Sequence, residues 1–585
     1  MVPLKRIQKW MRENNKDIFL INRTDEFLSE YIAPYAERLQ WISNFSGSAG
    51  RAIIEPHKAY IFIDGRYTNQ ANKEVDVNFF KIKHLQDYWI HLQQYKDENK
   101  VIALDPLLHS VKEIEKTQKF FTNSNIILNF LEKNPIDLSW HDQPSHPKSK
   151  AFFHEDRYAG ESSLSKINRI QEILQSTFID FYLLSSLDSI AWLLNLRGDD
   201  IKHTPLLCCF IIIPHQGKIE LFIDRSKIEH LVKNLSDLIN FHSFQEIDDY
   251  LLSIDLKKII GMDEGSTSYH FKNLCKNNGL ITHHFENPCL YPKAIKNDIE
   301  LKGAREANLR DGVSITNFLY WLKNKIIVKE MDEIKAADYL FSLRKKNYLF
   351  YSSSFNTISA FASHAAMPHY SVTKETNLSF DENSIYLVDS GGQYRDGTTD
   401  ITRTIIIGTP SKEQMDRYTR VLKGHIAISK VNFLTGTKGS ELDPIARKSL
   451  QEINCDYDHG TGHGVGSFLS VHEGPQRMAK SQGQSDGIIK KGMIISNEPG
   501  FYKKGEYGIR IENLLICCSN KKNPLFFETI SWAPFDRDLI DISLLNEEEI
   551  NWINDYHNNV YKKISPNLNA DESKWLKSVT NPLVK

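Results

Sequence analysis

YLVDSGGQYRDGTTDITRTI, residues 386–405, consists of an apolar run, a glycine-rich turn and a second run in which polar and apolar residues alternate. This pattern is typical of a β-hairpin that turns near Asp396-Gly397. Asp389 lies at the end of the first predicted strand, and Asp400 lies at the start of the second. Such a hairpin can bring both carboxylates to one side, although a bulge would shift the register. Asp396 itself is interpreted as a turn residue.

A second stretch repeats this arrangement with glutamates. In MIISNEPGFYKKGEYGIRIENLLI (493–516), Glu498 closes an apolar strand directly before a Pro-Gly dipeptide, and Glu512 lies within a further apolar run. A carboxylate in an apolar strand is costly to bury unless a bound cation or an arginine compensates its charge. Arg510 lies two residues from Glu512 and therefore on the same strand face. The alternative interpretation is a plain surface ion pair between these two residues.

Three histidines cluster between the two predicted hairpins. HGTGHGVGSFLSVHEGP (459–475) contains His459, His463 and His472 among five glycines. A single histidine is more often structural than a ligand. Three imidazoles beside glycines are different, because glycine allows close approach of the backbone and imidazole binds several transition metals. The cluster therefore indicates a metal or catalytic site.

Together the three stretches offer four carboxylates and at least one imidazole. Four carboxylates repel one another unless about two divalent cations neutralise them, and an oxygen-rich donor set with one nitrogen favours Mn²⁺ or a similar ion. Two metals ~3.5–4 Å apart can bridge a water, lower its pKa and polarise a carbonyl or phosphoryl oxygen. The sequence has neither a P-loop nor a Gly-x-Ser-x-Gly elbow, so phosphoryl transfer and serine hydrolysis have no support.

The first 300 residues contain an internal repeat. DIFLINRTDEF (17–27) is similar to DFYLLSSLDSI (180–190), and AIIEPHKAYIFIDGRY (52–67) is similar to FIIIPHQGKIELFIDRSK (210–227). Each copy has the pattern of a strand, a helix and a hairpin that turns at a Pro-His dipeptide. Two tandem α/β domains of one fold are therefore predicted.

The histidines of these two dipeptides, His57 and His215, are assigned a structural role in the hairpin turns. Between the copies, residues 135–163 contain three prolines and no periodicity, which predicts a domain boundary near 150. A second boundary is expected around 290–298, because a helical pattern begins at Ile299. The predicted domains are residues 1–150, 151–297 and 298–585.

Length and composition limit the classes of protein that fit. At 585 residues the chain is too long for one core, and its 41% hydrophobic and 25% charged residues are ordinary for a soluble globular protein. The 72 Lys and Arg residues against 74 Asp and Glu leave a charge of −2, so neither nucleic acid nor a membrane surface is expected as a partner. The longest apolar runs, such as LLCCFIII (206–213), are far too short for a membrane span.

The N-terminal segment MVPLKRIQKWMRENN is basic but lacks the apolar core of a secretory signal, so an amphipathic first helix is expected. The seven cysteines form no CxxC motif, and two adjacent pairs lie in apolar runs. Structural zinc is therefore not indicated, and free thiols of this kind fit a reducing cytoplasm.

These motifs resemble those of the Xaa-Pro aminopeptidases (aminopeptidase P), specifically the long three-domain cytosolic type within peptidase family M24. The resemblance extends over nearly the whole chain. It is carried by residues 29–50, 63–71, 190–205, 293–308, 388–404, 459–475 and 497–513. It implies an α/β (α+β) architecture in which two tandem creatinase-N-like α/β domains precede a C-terminal pita-bread metallopeptidase domain of ααβ–ααβ type. Relatives of this length are often homodimers.

Carried over residue by residue, the resemblance also implies a division of roles in the site. The metal ligands of the family correspond to Asp389, Asp400, His463, Glu498 and Glu512. They would hold two divalent ions per subunit, with Mn²⁺ favoured. His463 would then be the histidine that binds metal, while His459 would contact the substrate and His472 would hydrogen-bond the substrate and the tetrahedral intermediate.

The remaining family residues lie outside the histidine cluster. His369, in AMPHYSV, resembles the histidine that steadies the oxyanion or shuttles a proton, and Arg510 and Tyr502 resemble residues on the proline side of the pocket. The loop SAFASHAAMPHY departs from the Gly- and Asn-containing family pattern. Substrate preference or loop geometry could therefore differ from that of the family. His364 in this loop is interpreted as a substitution and not as a catalyst.

The resemblance implies hydrolysis of the bond between any N-terminal residue and a penultimate proline. A metal-bridging hydroxide would attack the carbonyl, and Glu498 would accept the proton of the water while also binding metal. Two alternatives stay open. One is a prolidase, which cleaves only Xaa-Pro dipeptides, and the other is a peptide-binding relative that has lost catalysis.

Overall fold

The structure is a computed structural model that describes residues 2–480, 487–519 and 524–585. The chain forms two compact units. The first comprises Met1–His154 and Glu161–Cys289, and the second comprises Glu155–Gly160 and Leu290–Lys585. The first predicted domain and most of the second lie in the first unit, while residues 155–160 and 290–297 belong to the second unit. The boundaries near 150 and 297 stay predictions.

The first copy of the repeat is a six-stranded mixed sheet with helices on both faces. Its helices are α1 (Pro3–Glu13), α2 (Arg38–Ser43), α3 (Thr68–Glu74), α4 (Tyr88–Gln93), α5 (Val111–Phe120) and α6 (Pro135–Ser139). Its strands are β1 (Ile18–Asn22), β2 (Gly50–Ile54), β3 (Ala59–Ile63), β4 (Lys81–His84), β5 (Val101–Leu104) and β6 (Ile127–Phe130). The strand order is β4-β3-β2-β1-β5-β6, with β1, β2 and β3 antiparallel and the outer pairs parallel.

Strand β1 shows why this sheet needs cover on both faces. Phe19 and Ile21 pack into one apolar cluster, while Ile18 and Leu20 pack into another, so alternate side chains enter opposite cores. A strand buried on both faces reads as a continuous apolar run, as IFLIN does. Helix α1 confirms the predicted amphipathic first helix, with Leu4, Ile7 and Met11 buried.

The second copy repeats the sheet. Its strands are β7 (Phe152–Phe153), β8 (Phe181–Leu184), β9 (Leu196–Arg197), β10 (Phe210–Pro214), β11 (Ile219–Phe222), β12 (Ile239–His242), β13 (Ile259–Met262) and β14 (Ile281–His284). The helices of this segment are α7 (Asp156–Ala159, in the second unit), α8 (Ser163–Ser176), α9 (Leu187–Leu194), α10 (Arg225–Ile228), α11 (Val232–Leu235), α12 (Ile247–Ser253) and α13 (Tyr269–Asn277). The order β12-β11-β10-β8-β13-β14 matches the first sheet strand for strand.

The predicted repeat is therefore confirmed, and so is the strand–helix–hairpin pattern within each copy. The hairpins β2–β3 and β10–β11 are antiparallel and turn directly after Ile54 and Pro214. His57 lies in the first turn and His215 in the second, as expected for turn residues.

The second unit carries the predicted pita-bread domain. Its helices are α14 (Leu290–Ala294), α15 (Asp298–Asn324), α16 (Glu333–Lys345), α17 (Lys412–Lys430), α18 (Gly439–Gln451), α19 (Glu547–Ile564) and α20 (Ala570–Val579). Its strands are β15 (Phe350–Ser353), β16 (Ile358–Phe361), β17 (Ser384–Ser390), β18 (Gly392–Tyr394), β19 (Gly397–Thr398), β20 (Ile401–Ile407), β21 (Asn432–Phe433), β22 (Gly462–Gly464), β23 (Glu473–Met478), β24 (Ile494–Asn497), β25 (Gly500–Lys503), β26 (Tyr507–Arg510), β27 (Asn513–Ser519) and β28 (Leu525–Thr529).

Two helix pairs each precede a group of strands, which is the ααβ–ααβ order. Helices α15 and α16 precede the sheets β15-β18-β19 and β16-β17-β20. Helices α17 and α18 precede the sheet β21-β28-β27-β24-β22-β23, except for its short edge strand β21, which lies between the two helices. Hairpin β25–β26 forms its own two-stranded sheet. Asn546 and Glu549 form a capping box at the start of α19.

Within residues 2–480, 487–519 and 524–585, no helix combines the length and the apolar character needed to cross a bilayer.

Candidate metal centre

The first predicted ligand hairpin forms and turns within one residue of the Asp396-Gly397 dipeptide. Asp389 on β17 pairs with Thr402 on β20, and Gln393 pairs with Thr398, so the chain turns at Arg395-Asp396. Asp396 is therefore a turn residue, as expected. Asp400 precedes β20 by one residue, two positions from Thr402, and positions two apart point to the same strand face. Asp389 and Asp400 therefore share a face as diagonal neighbours.

The second hairpin places its two glutamates opposite each other. Asn497 pairs with Asn513 in β24–β27, and Gly500 pairs with Arg510 in β25–β26. Glu498 and Glu512 lie between these two paired segments, at matching positions. The two hairpins thus supply two carboxylates each, as the sequence pattern indicates.

Three of the predicted ligands converge closely. The ligand atoms of Asp400, His463 and Glu512 all lie within 4.8 Å of one another. Nε2 of His463 is 3.5 Å from Oδ2 of Asp400 and 3.5 Å from Oε1 of Glu498. Nδ1 of His463 lies 3.0 Å from the carbonyl oxygen of Gly464, so the ring proton belongs on Nδ1 and the lone pair of Nε2 faces the carboxylates.

The carboxylate oxygens have the burial and the lack of hydrogen-bond donors expected of cation ligands. Oδ1 of Asp389, Oδ1 of Asp400 and Oε1 of Glu512 are buried and accept no hydrogen bond within the described part of the chain. Burial and the neighbouring carboxylates raise the pKa of Asp400 and of Glu512 well above their ordinary values. Oxygen atoms that are buried, clustered and without donors fit divalent ions, because a cation would supply the missing partner and reverse the pKa shift.

Arg510 compensates one carboxylate directly. One terminal nitrogen of its guanidinium donates to Oδ2 of Asp389 at 2.6 Å, and the other donates to the hydroxyl of Tyr502 at 2.7 Å. Arg510 and Glu512 are 3% and 1% exposed, so the alternative of a surface ion pair between them is wrong. The arginine on this strand face serves Asp389, not Glu512.

Tyr502 links this arginine to a histidine of the cluster. Its hydroxyl lies 2.8 Å from Nε2 of His459, and burial raises its pKa to about 12. Tyr502 is therefore neutral near pH 7. The residues predicted for the proline side of the pocket form one hydrogen-bonded chain.

The two remaining predicted histidines lie in different surroundings. The ring of His472 packs against the ring of His463, with centroids 4.4 Å apart at 72°. His369 is half-buried in the turn after the 3-10 helix Ala362–Ala366. That helix packs tightly on β26, because a Cβ on Gly508 would lie 1.7 Å from the carbonyl oxygen of Ala365.

His364 has a structural partner in this loop. Its Nδ1 lies 3.0 Å from Oε1 of the buried Glu333. Glu333 also accepts hydrogen bonds from the backbone of Phe361 and from the hydroxyl of Tyr370. The atypical loop is thus held by an internal carboxylate, which supports the interpretation of His364 as a loop residue.

Two polar residues beside the ligands were missed by the sequence analysis. The hydroxyl of Thr402 donates to Oε2 of Glu512 at 2.8 Å, and the hydroxyl of Ser496 contacts both the backbone amide of His463 and Oε1 of Glu498. The two-residue period in DITRT places Thr402 on the face of Asp400 and could have identified it. Ser496 has no comparable signal.

Models of known protein families match the chain along nearly its whole length. Metallopeptidase family M24 matches residues 302–518, and the C-terminal region of peptidase M24 matches residues 523–583. Two models of the creatinase/prolidase N-terminal domain match residues 3–128 and 142–300. These matches confirm the predicted architecture of two creatinase-like domains followed by a pita-bread metallopeptidase domain.

Individual relatives agree with the family models. A probable Xaa-Pro aminopeptidase P of Coccidioides posadasii is 37% identical over 99% of this chain and 93% of its own. The crystal structure of an X-prolyl aminopeptidase from Caenorhabditis elegans, described as a cytosolic enzyme with a di-nuclear active site, matches with a TM-score of 0.93 at 30% identity, covering 99% of both chains. The prolidase of Pyrococcus horikoshii shares the fold, with a TM-score of 0.51 at 22% identity over 64% of this chain and 99% of its own.

Proposed function

Because the chain belongs to metallopeptidase family M24, we propose that it is a metal-dependent aminopeptidase that hydrolyses the bond between an N-terminal residue and a following proline. The convergence of Asp400, His463 and Glu512 within 4.8 Å carries this proposal, with Asp389 and Glu498 at the same site. The full-length similarity to Xaa-Pro aminopeptidases supports the substrate class.

We propose that the five side chains hold two divalent cations and that Mn²⁺ is the native ion. Four carboxylates and one imidazole suit a borderline, oxygen-preferring ion better than a thiophilic one. The di-nuclear site described for the nematode enzyme supports the number two. When bound, the pair would supply Lewis acidity and lower the pKa of a water enough to provide a hydroxide nucleophile.

The proton-transfer and oxyanion-stabilising roles would fall to Glu498, His472 and His369. The Glu498 side chain is 17% exposed, so its carboxylate can reach a water and accept its proton during attack. His472, packed against the ligand His463, would donate a hydrogen bond to the carbonyl oxygen as negative charge develops there. His369 would steady the same oxygen or return the proton to the leaving nitrogen.

The proline side of the site would be formed by His459, Tyr502 and Arg510. A prolyl nitrogen carries no hydrogen, so recognition must rely on the shape of the ring. Rigid side chains achieve this best, and the chain of hydrogen bonds from His459 through Tyr502 to Arg510 fixes all three. Because Arg510 also holds Asp389, the pocket is joined to the metal centre.

A prolidase and a peptide-binding relative without catalysis are the two alternatives to an aminopeptidase. A prolidase would cleave Xaa-Pro dipeptides only, and the solved prolidase shares the fold over 64% of this chain, whereas the aminopeptidase similarity extends over 99%. A peptide-binding relative without catalysis would be expected to lack ligands. All five ligand positions are filled here, which argues against that alternative.

Product analysis on a small peptide panel, with metal content measured on the same sample, tests the proposal. The panel contains Xaa-Pro-Yaa-Zaa, Xaa-Ala-Yaa-Zaa and the dipeptide Xaa-Pro. We expect release of one N-terminal residue from the proline tetrapeptide, no comparable turnover of the alanine peptide, and close to two divalent ions per chain. Cleavage of the dipeptide alone would indicate a prolidase.

An Asp400→Asn control distinguishes catalysis from binding. The substitution replaces one carboxylate ligand by an amide of equal size, so the fold should persist. We expect the metal content to fall and the turnover rate to drop by ~10³-fold or more. Wild-type protein without stoichiometric metal would favour the peptide-binding alternative.

We also propose that the protein is cytoplasmic and a homodimer. The nematode enzyme is described as cytosolic, and all seven cysteines of this chain are free thiols, which fits a reducing compartment. Light scattering of the purified chain measures the oligomeric state directly.

A further inference from the structure

Arg403 lies behind the metal centre, between two residues that face it. Thr402 and Thr404 flank it on β20, and their hydroxyls contact Glu512 and the backbone of Arg510, respectively. Successive residues of a strand point to opposite faces, so the Arg403 side chain extends away from the ligands. Its side chain is buried, with 2% exposure of the residue.

The guanidinium of Arg403 is saturated by neutral oxygens from three parts of the second unit. It donates to the carbonyl oxygens of Thr402 at 2.8 Å and Glu512 at 2.7 Å. It also donates to Oδ1 of Asn513 at 2.9 Å and to the carbonyl oxygen of Ala533 at 2.9 Å. A planar group with five N–H donors can join several backbone segments in one fixed geometry, which an ammonium cannot do.

Two of these contacts reach ligand-bearing segments from different hairpins. Thr402 lies two residues from Asp400, and the Glu512 carbonyl belongs to a predicted ligand itself. A single side chain therefore fixes the separation between the Asp400 strand and the Glu512 strand. The backbone amide of Glu512 reinforces this junction by donating to the carbonyl oxygen of Thr402 at 3.2 Å.

Asn513 extends the network to the other glutamate. Its Nδ2 lies 3.1 Å from Nε2 of His425, whose Nδ1 lies 3.1 Å from the carbonyl oxygen of Asn497. Burial and the charge of Arg403 lower the pKa of His425 to about 3, so the ring is neutral and can donate from one nitrogen and accept at the other. Asn497 directly precedes Glu498, so both glutamate strands are tied to Arg403.

The third part of the second unit that contacts Arg403 is the C-terminal region. The hydroxyl of Tyr556, on α19, accepts from Arg403 at 2.9 Å and lies 3.0 Å from the carbonyl oxygen of Ala533. The ring of Phe535 stacks on that of Tyr556 with centroids 4.7 Å apart, and the guanidinium lies 4.9 Å from the centroid of Phe535. The ring of Trp552 is nearly parallel to both, with its centroid 6.3 Å from that of Phe535 and 5.4 Å from that of Tyr556. These aromatic rings therefore pack against the guanidinium through Phe535.

We propose that Arg403, held by Tyr556, is a positioning residue through which the C-terminal region sets the spacing of the metal ligands. The inference rests on the proposed metal centre. Partners that orient ligands from behind typically change metal affinity ~10–100-fold when they are altered. Both side chains are buried and point away from the ligands, so the Michaelis constant should change little once metal is saturating.

Mn²⁺ titrations of the full-length protein, in competition with a fluorescent chelator, test the inference. Tyr556→Phe removes only the hydroxyl, and we expect a dissociation constant ~10-fold above that of the wild type. Arg403→Lys keeps the charge but loses the fork of donors, and we expect a larger loss. Saturating Mn²⁺ should restore much of the kcat of Tyr556→Phe.

Tyr418→Phe is the matched control. Tyr418 is fully buried in the same apolar cluster as Tyr556, and its hydroxyl accepts from the backbone amide of Asp536 at 3.2 Å. It should lose thermal stability without losing Mn²⁺ affinity. If Tyr556→Phe binds Mn²⁺ like the wild type while melting earlier, the role of Tyr556 and Arg403 is only structural and the inference is overturned, even if Arg403→Lys does not fold.

The experiment separates this inference from the proposed function. Wild-type protein that binds no Mn²⁺ or other divalent ion would overturn the metal centre itself and the inference with it. Wild-type binding with unchanged affinity in the variants would overturn the inference alone.

Discussion

At the scale of single residues, Arg510 places Asp389 in a different electrostatic environment from Asp400 and Glu512. Asp389 has a guanidinium 2.6 Å away, whereas the pKa values of Asp400 and Glu512 are raised by burial and by the neighbouring carboxylates. Without metal these two groups retain protons above their ordinary pKa. Metal binding must displace those protons, so the charge of the ion is what permits the cluster to be fully ionised.

Tyr502→Phe tests the proposed proline pocket. The substitution removes the hydroxyl that joins His459 to Arg510 and leaves the metal ligands in place. Because one neutral and one charge-assisted hydrogen bond are lost, we expect the Michaelis constant for a proline tetrapeptide to rise ~3–30-fold with kcat changed less. Steady-state kinetics at saturating Mn²⁺ measures both constants.

The opposite pattern would contradict this assignment. A large fall in kcat with an unchanged Michaelis constant would place Tyr502 in the chemical step instead of the pocket. Tyr418→Phe serves again as the comparison, since its hydroxyl contacts the backbone of Asp536 and not the pocket.

Residue identities near the site could be predicted where the residue type itself carries the chemistry. Carboxylates at strand ends and within an apolar strand, together with histidines among glycines, indicated the candidate site, and the family resemblance selected His463 among the three histidines. The partner of Arg510 could not be predicted, because the choice between Asp389 and Glu512 depends on how β26 packs against β17 and not on local spacing. Arg403 and Tyr556 are 153 residues apart and leave no shared pattern.

At the scale of elements, the two hairpins behave alike in pattern and differ in register. The alternation of apolar and polar residues predicts both, and the structure forms both. The pairing of Asp389 with Thr402 could not be derived, because glycine-rich turns accept several lengths and a shift of one residue at the turn moves every cross-strand pair. The apolar runs IFLIN and FIIIP predict the repeated sheets correctly, since strands buried on both faces read as apolar runs.

Helix α19 places a buried histidine, His557, in the second unit. His557 is fully buried, and its Nε2 accepts a hydrogen bond from the backbone amide of Phe535 at 3.1 Å. Burial and the charges of Arg537 and Arg403 lower its pKa from 6.5 to about 3. Below pH 6.5 the unfolded chain therefore binds a proton that the folded chain does not, so stability falls as the pH drops from about 6.5 toward 3.

His557→Gln tests this linkage, because glutamine keeps an acceptor but does not titrate. Between pH 7 and pH 5, the wild type should lose about 2 kcal/mol more unfolding free energy than the variant. Urea unfolding followed by the fluorescence of the C-terminal tryptophans measures this difference. His57→Gln, in an exposed turn, is the control and should show the wild-type pH dependence. Equal slopes for the wild type and His557→Gln would show that this histidine is not the acid-sensitive group.

At the scale of the whole molecule, the second unit contains all the proposed machinery. Two hairpins present the carboxylates, the strand β22 presents His463, and α19 reaches the back of the site through Tyr556. The first unit consists of two copies of one sheet, which the repeated Pro-His hairpins predict.

The central claim is that five side chains from separate strands hold a pair of divalent cations. Anomalous diffraction at the manganese edge, from crystals grown with Mn²⁺, tests it most directly. Two peaks ~3.5–4 Å apart are expected, surrounded by Asp389, Asp400, His463, Glu498 and Glu512. Anomalous density elsewhere with none among these five groups, or an ordered site that stays without metal at saturating Mn²⁺, would contradict it.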